Sequence, residues 1–175
     1  MTVTDLPAVA FRPLTPADVT ALEAMRTEAA DPFNWAGYRD PGGLTGEIAR
    51  HETLHADGGS LAVVDAQGTL LGDVSWRQVR TGPSIHSWCW NIGIGLVPQQ
   101  RGRGYGAAAQ RALAAYLFAQ TPTARVEAET DVDNVAEQRA LDKAGFTREG
   151  VRRQAQWRDG RWHDMVFYSI LRGEI

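Results

Sequence analysis

The order of apolar and polar positions along the chain predicts alternating strands and helices. Apolar residues recur at helical spacing at Val19, Leu22 and Met25, whereas residues 125–130 alternate in the manner of a strand. The predicted strands cover residues 11–14, 61–64, 70–79, 86–97 and 125–130, and both arms of a hairpin over 147–171 that turns at Asp159-Gly160. The predicted helices run from Val19 to about Ala30, from Leu44 to His55, from Tyr105 to Ala119 and, capped by Asn134, to Lys143 before Gly145.

One long crossover helix separates an earlier group of strands from a later one. This order implies an α/β (α+β) protein in which a mixed sheet carries helices on both faces. The 175 residues contain no linker, repeat or low-complexity segment. A chain of that length suits a single domain over residues 1–175.

The chain is organised around a glycine-rich segment that follows the strand ending at Pro98. Glycines alternate at Gly102, Gly104 and Gly106, just where the crossover helix begins. Glycines let the backbone turn tightly, and the unpaired N–H groups at a helix start favour an anion, most often a phosphate. Arginines at 101 and 103 add positive charge at the same place. The segment is therefore predicted to be an anion cradle.

Three kinds of phosphate-binding loop are compared with this segment. A P-loop is excluded because no lysine followed by serine or threonine is present. A dinucleotide fingerprint is formally matched by Gly102, Gly104 and Ala107, with Glu127 about twenty positions later, but it starts mid-chain with too little sequence after it. The pattern Gln/Arg-x-x-Gly-x-Gly/Ala is met by Arg101, Gly104 and Gly106. With the preceding strand and proline, it resembles the acyl-CoA pyrophosphate loop of the GNAT superfamily of N-acyltransferases.

Further motifs in the expected order extend this resemblance over most of the chain. Asn134 followed by Leu-Asp-Lys-Ala-Gly-Phe at 141–146 is similar to the second motif of the family. Glu149-Gly150 and the tail pattern from Gly160 to Tyr168 resemble the ribosomal-protein N-terminal acetyltransferase (RimJ/RimL-type) branch. The resemblance implies a mixed, mostly antiparallel sheet of about seven strands.

The resemblance also implies a function. The chain is expected to transfer an acetyl group from acetyl-CoA, or another acyl-CoA, to a primary amine of a small molecule or a peptide N-terminus. The amine is expected to attack directly in a ternary complex. Two alternatives are kept: a non-catalytic acyl-CoA-binding module and, less favoured, a dinucleotide-dependent oxidoreductase.

Cofactor-binding positions follow from the resemblance. Ile94 and Leu96 are expected to pair with pantetheine like an extra strand, and the N–H of Ile94 is expected to stabilise the developing oxyanion. The loop amides are expected to hold the pyrophosphate, and Asn134 to contact the pantetheine arm. The complete expected set is Ile94, Leu96, Val97, Arg101, Gly102, Arg103, Gly104, Tyr105, Gly106, Ala107 and Asn134.

At the positions of the usual catalytic residues this chain departs from the family. Trp90 stands where relatives often carry a glutamate, and His86 is the nearest residue type that titrates near neutral pH. His86 is interpreted either as a base or as a half-buried strand residue. Glu137 occupies the place of a serine acid and Asp142 that of a tyrosine acid. Glu137 is interpreted either as the general acid or as a solvated carboxylate beside the helix dipole.

Aromatic residues suggest where the acceptor binds. Trp76, Trp88 and Trp90 fall on neighbouring strands at even spacing, and Trp35 and Tyr38 lie in the first long loop. They are predicted to line an acceptor pocket, with core packing as the alternative for each. Aspartates at 31, 40 and 73 are candidate ammonium partners, which favours a flat or amphipathic cationic acceptor.

Composition bears on the class of ligand, on metal binding and on the cellular location. A net charge of −3 gives no argument for nucleic acid, and the lone Cys89 excludes an intrachain disulfide and a cysteine-based metal site. No metal is expected. The first residues lack the features of a signal peptide and no apolar run spans a membrane, so a cytoplasmic protein is expected. Arginine is abundant, whereas Lys143 is the single lysine, which hints at a bacterial source. The oligomeric state is left open, with a homodimer as one option.

Overall fold

A computed structural model describes residues 5–27, 31–33, 43–49 and 53–175. Within these residues the sheet has eight strands: β1 Ala10–Arg12, β2 Leu54–His55, β3 Gly58–Val64, β4 Leu70–Arg80, β5 Trp88–Leu96, β6 Arg125–Asp131, β7 Thr147–Arg158 and β8 Arg161–Leu171. The α-helices described are α1 Val19–Met25, α2 Gly43–Ala49, α3 Tyr105–Gln120 and α4 Val135–Ala144.

The sheet is mixed, with one parallel pair at its centre. The strands lie in the order β1-β3-β4-β5-β6-β8-β7, and β2 pairs with β3 to one side. The β5–β6 pair is parallel, whereas the other pairs in the described residues are antiparallel. A parallel pair needs a crossover connection, which α3 supplies. The predicted mixed, mostly antiparallel sheet is confirmed.

Helices cover both faces of the sheet. Alternate residues of β3 point to opposite faces: Leu61 and Val63 pack into a core with α3 and α4, whereas Ala62 packs into a second core. That second core contains Leu22 of α1 and Leu44 of α2. The predicted arrangement of helices on both faces is therefore confirmed.

Local sequence signals correctly predicted the C-terminal elements. Asn134 caps α4, with its side-chain carbonyl accepting the Glu137 N–H at 3.2 Å. Gly145 ends the helix in the left-handed region at φ 91°. Asp159 and Gly160 have φ of 50° and 72°, as a two-residue hairpin turn with two positive φ values requires.

The predicted helix from Leu44 to His55 is wrong at its end, and residues 50–52 of its predicted extent lie outside the described residues. Helix α2 is described only to Ala49, and Leu54–His55 form strand β2, which pairs with the start of β3. Gly58 and Gly59 open β3 instead of ending a helix. A Cβ at Gly58 would lie 2.4 Å from the Trp76 carbonyl oxygen, so the close approach of β4 requires glycine there. Helix α1 ends at Met25; residues 28–30 of its predicted extent lie outside the described residues.

Candidate active site

The candidate site is a cleft between β5 and β6. Their pairing covers only three positions, the last of which joins Ile92 to Ala128, so residues 93–96 and 129–131 are not paired with each other. Because the strands are parallel, their carboxyl ends lie at the same edge, where α3 follows β5 and α4 follows β6. The cleft therefore has the positive end of a helix dipole on each side, which favours an anionic ligand.

Backbone groups of β5 face this cleft. The Val97 N–H bonds to the Leu71 carbonyl at 2.9 Å, on the β4 side. Main-chain groups alternate along a strand, so those of Ile94 and Leu96 point the other way. These are the two positions that the sequence predicted to pair with pantetheine. Val97 was predicted to bind the cofactor as well, but its N–H is bonded to β4 and its carbonyl accepts the Gln100 N–H at 2.8 Å. The contribution of Val97 to cofactor binding stays a prediction.

The glycine-rich loop has the geometry of an anion site. Gly102 and Gly104 adopt φ of 74° and 85°, and Gly104 is the N-cap of α3 without a side-chain cap. The first N–H groups of α3, from Tyr105 onward, have no intrahelical acceptor. A Cβ at Gly104 would lie 3.2 Å from Pro7 Cδ, so the N-terminal segment passes close to the loop. This backbone fits a pyrophosphate.

Side chains around the loop have mainly local roles. Arg101 Nε donates to the Leu96 carbonyl at 3.0 Å, and Arg103 Nη1 donates to Gln100 Oε1 at 3.2 Å. The Gly106 Cα approaches α4 so closely that an added Cβ would lie 3.7 Å from the Ala140 Cβ. Ala107 is buried in the core. The loop would therefore hold an anion mainly through backbone N–H groups.

Glu137 lies in the first turn of α4 with Gln110 of α3 and Asp31 near its carboxyl group. Burial, and after it repulsion from Asp31, raise the pKa of Glu137 to about 8, and a hydrogen bond with Gln110 partly opposes the rise. The group is therefore mostly protonated at neutral pH. A neutral carboxyl group does not complement a helix dipole, but it can donate a proton near pH 8, as a general acid must.

Asn134 holds this part of α4 in place. Besides capping Glu137, its amide Nδ2 donates to Thr130 Oγ1 at 3.0 Å. The preceding turn is fixed by Asp131, whose Oδ1 accepts the Asp133 N–H at 2.8 Å. The predicted contact of Asn134 with the pantetheine arm stays a prediction.

His86 does not occupy the half-buried strand position that the sequence predicted. It is exposed in a turn before β5, where its N–H bonds to Ser84 Oγ at 3.2 Å. The alternative interpretation of His86 as a catalytic base stays a prediction.

The strand tryptophans pack against α3. Trp90 is 4% exposed and its Nε1 donates to Thr121 Oγ1 at 3.1 Å. Trp88 stacks edge-on against Trp90 at 5.2 Å, and Trp76 does so against Tyr116 of α3 at 6.1 Å. Trp90 thus belongs to the core and the half-buried Trp88 packs against it, because even-numbered positions of β5 face α3. Their predicted contact with an acceptor stays a prediction.

The other residues that were predicted to contact the acceptor have three different outcomes. Trp35, Tyr38 and Asp40 lie outside the described residues. Asp73 is buried in an ion pair with Arg26 at 2.6 Å, so it is not available to an ammonium group. Asp31 lies near Glu137 and stays a candidate.

A cavity of about 850 Å³ opens on the face opposite α3, bounded by α2 and strands β2 to β5. Its polar lining includes Glu47, Ser60, Ser75, Arg77 and Asn91, and it reaches Gly93, where β5 leaves β6. Trp76, which the sequence predicted to line an acceptor pocket, is among the residues that line this cavity, whereas its polar lining was not predicted. The signal was the polar alternation Ser75, Arg77 on β4 and Asn91, Gly93 on β5, on the face opposite the tryptophans.

Arg77, which lines the cavity, has two polar partners. Arg77 Nε donates to Asn91 Oδ1 at 3.3 Å, and its Nη2 bonds to Glu129 Oε1 at 3.3 Å.

The described part of the chain has no group of three or more His, Cys, Asp or Glu side chains placed to hold a metal ion. None of the described helices is both long and apolar enough to cross a membrane.

Solved structures with the same fold support this description. A spermidine N-acetyltransferase from Vibrio cholerae, in complex with CoA and spermine, superposes with a TM-score of 0.79 at 20% identity, covering 95% of this chain and 96% of that one. Mycobacterium smegmatis RimJ, in complex with CoA-disulfide, gives 0.74 at 22% identity, covering 97% and 84%.

Sequence relatives in Bacillus subtilis (strain 168) are more alike over shorter stretches. "Probable N-acetyltransferase YjcK" is 32% identical over 102 residues, 58% of this chain and 55% of that protein. "Uncharacterized N-acetyltransferase YoaA" is 32% identical over 81 residues, 46% of each. The chain spans about half the length of the curated relatives it matches.

The match to a family model extends further along the chain. Residues 9–147 match the acetyltransferase (GNAT) domain, from β1 through the loop and α4 to the start of β7. This stretch includes the cleft, both helix N-termini and Glu137. The chain therefore belongs to the GNAT acetyltransferase domain family.

Proposed function

We propose that this protein transfers an acetyl group from acetyl-CoA to the primary amine of a small molecule or a peptide N-terminus, by direct attack in a ternary complex. The observation that carries the proposal is the cleft between β5 and β6. A helix N-terminus flanks it on each side, and a carboxyl group with a pKa of about 8 lies in the first turn of one of these helices. The N-acetyltransferase names of the curated relatives support it.

Backbone groups would bind and orient the donor. Acetyl-CoA supplies a thioester acyl group and leaves as a thiol. The N–H groups at the start of α3 would hold its pyrophosphate, and the main chain at Ile94 and Leu96 would hydrogen-bond to pantetheine. The Ile94 N–H would then donate to the carbonyl oxygen of the thioester as negative charge develops there.

The acceptor would approach from the cavity that reaches Gly93. Glu47 lines that cavity and would attract a cationic amine. An α-amino group has a pKa of about 8, so an appreciable fraction is neutral without a base. Holding both reactants at the cleft would supply much of the acceleration.

Glu137 would donate a proton to the departing sulfur. A thiol has a pKa of about 8.5, close to that of Glu137, so transfer is nearly balanced in energy. The proton that the attacking nitrogen loses would pass to solvent, and because the Glu137 side chain is not wholly enclosed, solvent can return a proton to it afterwards.

Several finer expectations are part of the proposal. The RimJ/RimL-type branch is supported by the fold shared with RimJ. A bacterial source and a cytoplasmic location are supported by the bacterial relatives and by the composition. The partner expected is a small-molecule or peptide amine, not nucleic acid or membrane, and no metal takes part; a homodimer stays open.

The alternative is a module that binds acyl-CoA without catalysis. It is favoured by Trp90 and Asp142, which stand where relatives often carry a catalytic glutamate and tyrosine. The deciding experiment measures thiol release from acetyl-CoA with spermidine, free amino acids and short peptides as acceptors. We expect release above the acceptor-free rate, together with an equal amount of N-acetylated product by mass spectrometry. Tight CoA binding without turnover on any amine would favour the alternative.

A further inference from the structure

A buried charged cluster lies beside the cleft and takes no part in the proposed chemistry. It consists of Asp131 at the end of β6, Arg158 at the end of β7 and His163 of β8, with side chains that are 1%, 3% and 5% exposed. Arg158 Nη2 bonds to Asp131 Oδ2 and lies 2.9 Å from His163 Nδ1. Burying such groups costs several kcal/mol per ion, so the cluster is not explained by stability alone.

Arg158 connects three separate parts of the chain. Its Nη2 binds Asp131, whereas its Nη1 donates to the Phe33 carbonyl oxygen and to Gln156 Oε1, the latter at 2.9 Å. The second oxygen of Asp131 accepts the Asp133 N–H in the turn that enters α4. One guanidinium group thus ties residues 31–33 to the start of the helix that carries Glu137.

The contact at Phe33 has a consequence at Glu137. Asp31, two residues before Phe33, lies near enough to Glu137 for its charge to raise the pKa of the Glu137 carboxyl group. The position of Asp31 depends on how residues 31–33 are held. The guanidinium has donors on two sides in a fixed plane, so it can hold Asp131 and the Phe33 carbonyl together, which a single ammonium group cannot do in the same geometry.

We propose that Arg158 is a positioning residue, which holds residues 31–33 against the first turn of α4 and so keeps Asp31 beside Glu137. The proposal rests on the proposed function insofar as Glu137 is the general acid. The groups that face Glu137 are Asp31 from this segment, Gln110 from α3 and Tyr168 from β8. Of these three, Asp31 is the charged one. Loss of its contact would remove repulsion and also expose the carboxyl group, and both changes favour ionisation.

The test compares Arg158→Lys with Arg161→Lys, the same change at the exposed position directly across the hairpin. The first readout is the titration of the Glu137 side chain, followed by the NMR shift of its carboxyl carbon. We expect the midpoint to fall by about one pH unit in Arg158→Lys and to stay unchanged in Arg161→Lys. The alkaline limb of the kcat profile should move by the same amount.

An unchanged midpoint in folded Arg158→Lys, or an equal shift in both variants, would overturn the proposal. If Arg158→Lys does not fold, the double variant Asp131→Asn/Arg158→Met replaces it. That double variant breaks the hydrogen bond to Phe33 without leaving a buried charge. The Glu137 titration midpoint is expected to fall by the same amount in it. The titration requires no turnover. A shifted midpoint in a protein that acetylates no amine would support the positioning role and reject the proposed function.

Discussion

The side-chain carbonyl of Asn134 accepts the backbone N–H of Glu137 at 3.2 Å. The residue that begins α4 thereby fixes the place of the candidate acid in its first turn. Because the Asn134 amide also bonds to Thr130 of β6, the helix start is tied to the strand that borders the cleft. The position of Glu137 relative to the cleft thus follows from the cap.

Replacement of Glu137 by glutamine should impair the chemical step. Glutamine keeps the size of the side chain but cannot donate a titrating proton. We expect kcat to fall by about two orders of magnitude while the Kd for CoA stays unchanged. The acid works in its protonated form, so wild-type activity should decline as pH rises through about 8, and this limb should be absent from the variant.

The matched control is Asp142→Asn, which removes a carboxylate from the exposed side of the same helix. Its kcat and pH profile should match those of the wild type. If Glu137→Gln keeps full activity, the proton donor to the thiolate is water and not Glu137.

Two substitutions of Gly104 should distinguish the effect of backbone strain on CoA affinity from the effect of losing the anion site. At φ 85°, alanine costs about 1 kcal/mol, and its Cβ would also press on Pro7. Glutamate carries the same strain and adds a negative charge where the phosphate would bind. We expect calorimetry to show a small loss of CoA affinity in Gly104→Ala and undetectable binding in Gly104→Glu. Equal affinities in the two variants would argue against a phosphate at this loop.

Removal of the indole of Trp90 should affect stability and not acceptor binding. Trp90→Phe loses volume in the core and the hydrogen bond to Thr121, which together cost about 2 kcal/mol. Urea unfolding measures this loss, and the KM for the best amine of the panel should stay within twofold of the wild-type value. A large rise in KM with unchanged stability would support the acceptor-pocket interpretation.

Protonation of Asp18 at low pH should lower the free energy of unfolding, because Asp18 stabilises the turn at the start of α1. Its carboxylate, 4% exposed, accepts two hydrogen bonds from Arg12 at 2.7 Å, and others from Thr15, which lower its pKa to about 2. Such a group contributes stability above the unfolded pKa of about 4 and loses it as pH falls through about 2. Asp18→Asn should cost about 2 kcal/mol at pH 6, and the difference from wild type should shrink below pH 4. Asp57→Asn, in an exposed turn, should show no such dependence.

Elements with local signals were predictable from sequence. The start of α3 after Gly104, the cap at Asn134 and the turn at Asp159-Gly160 each depend on a few adjacent residues. The same loop glycines indicated an anion site, and the offset from Asn134 indicated Glu137.

Features that depend on distant residues were not predictable. Strand β2 forms because β3 and Trp76 of β4 lie beside it, so a helical pattern near Leu54 was overridden by tertiary pairing. The even-numbered tryptophans were correctly placed on one face, but periodicity does not say which face meets α3. The Arg158 cluster joins segments far apart in sequence, which a single sequence without contacts cannot reveal.

The short β5–β6 ladder also has a consequence for how the chain folds. Its three residue pairs join two groups of antiparallel strands across the whole of α3, whereas β4–β5 and β7–β8 each close over a short connection. Pairing between distant segments carries the larger loop-closure entropy and forms later. We therefore expect the two groups to fold first and the cleft to form last. A ligand that bridges β5 and β6 would then act on the unfolding rate, with little effect on the folding rate.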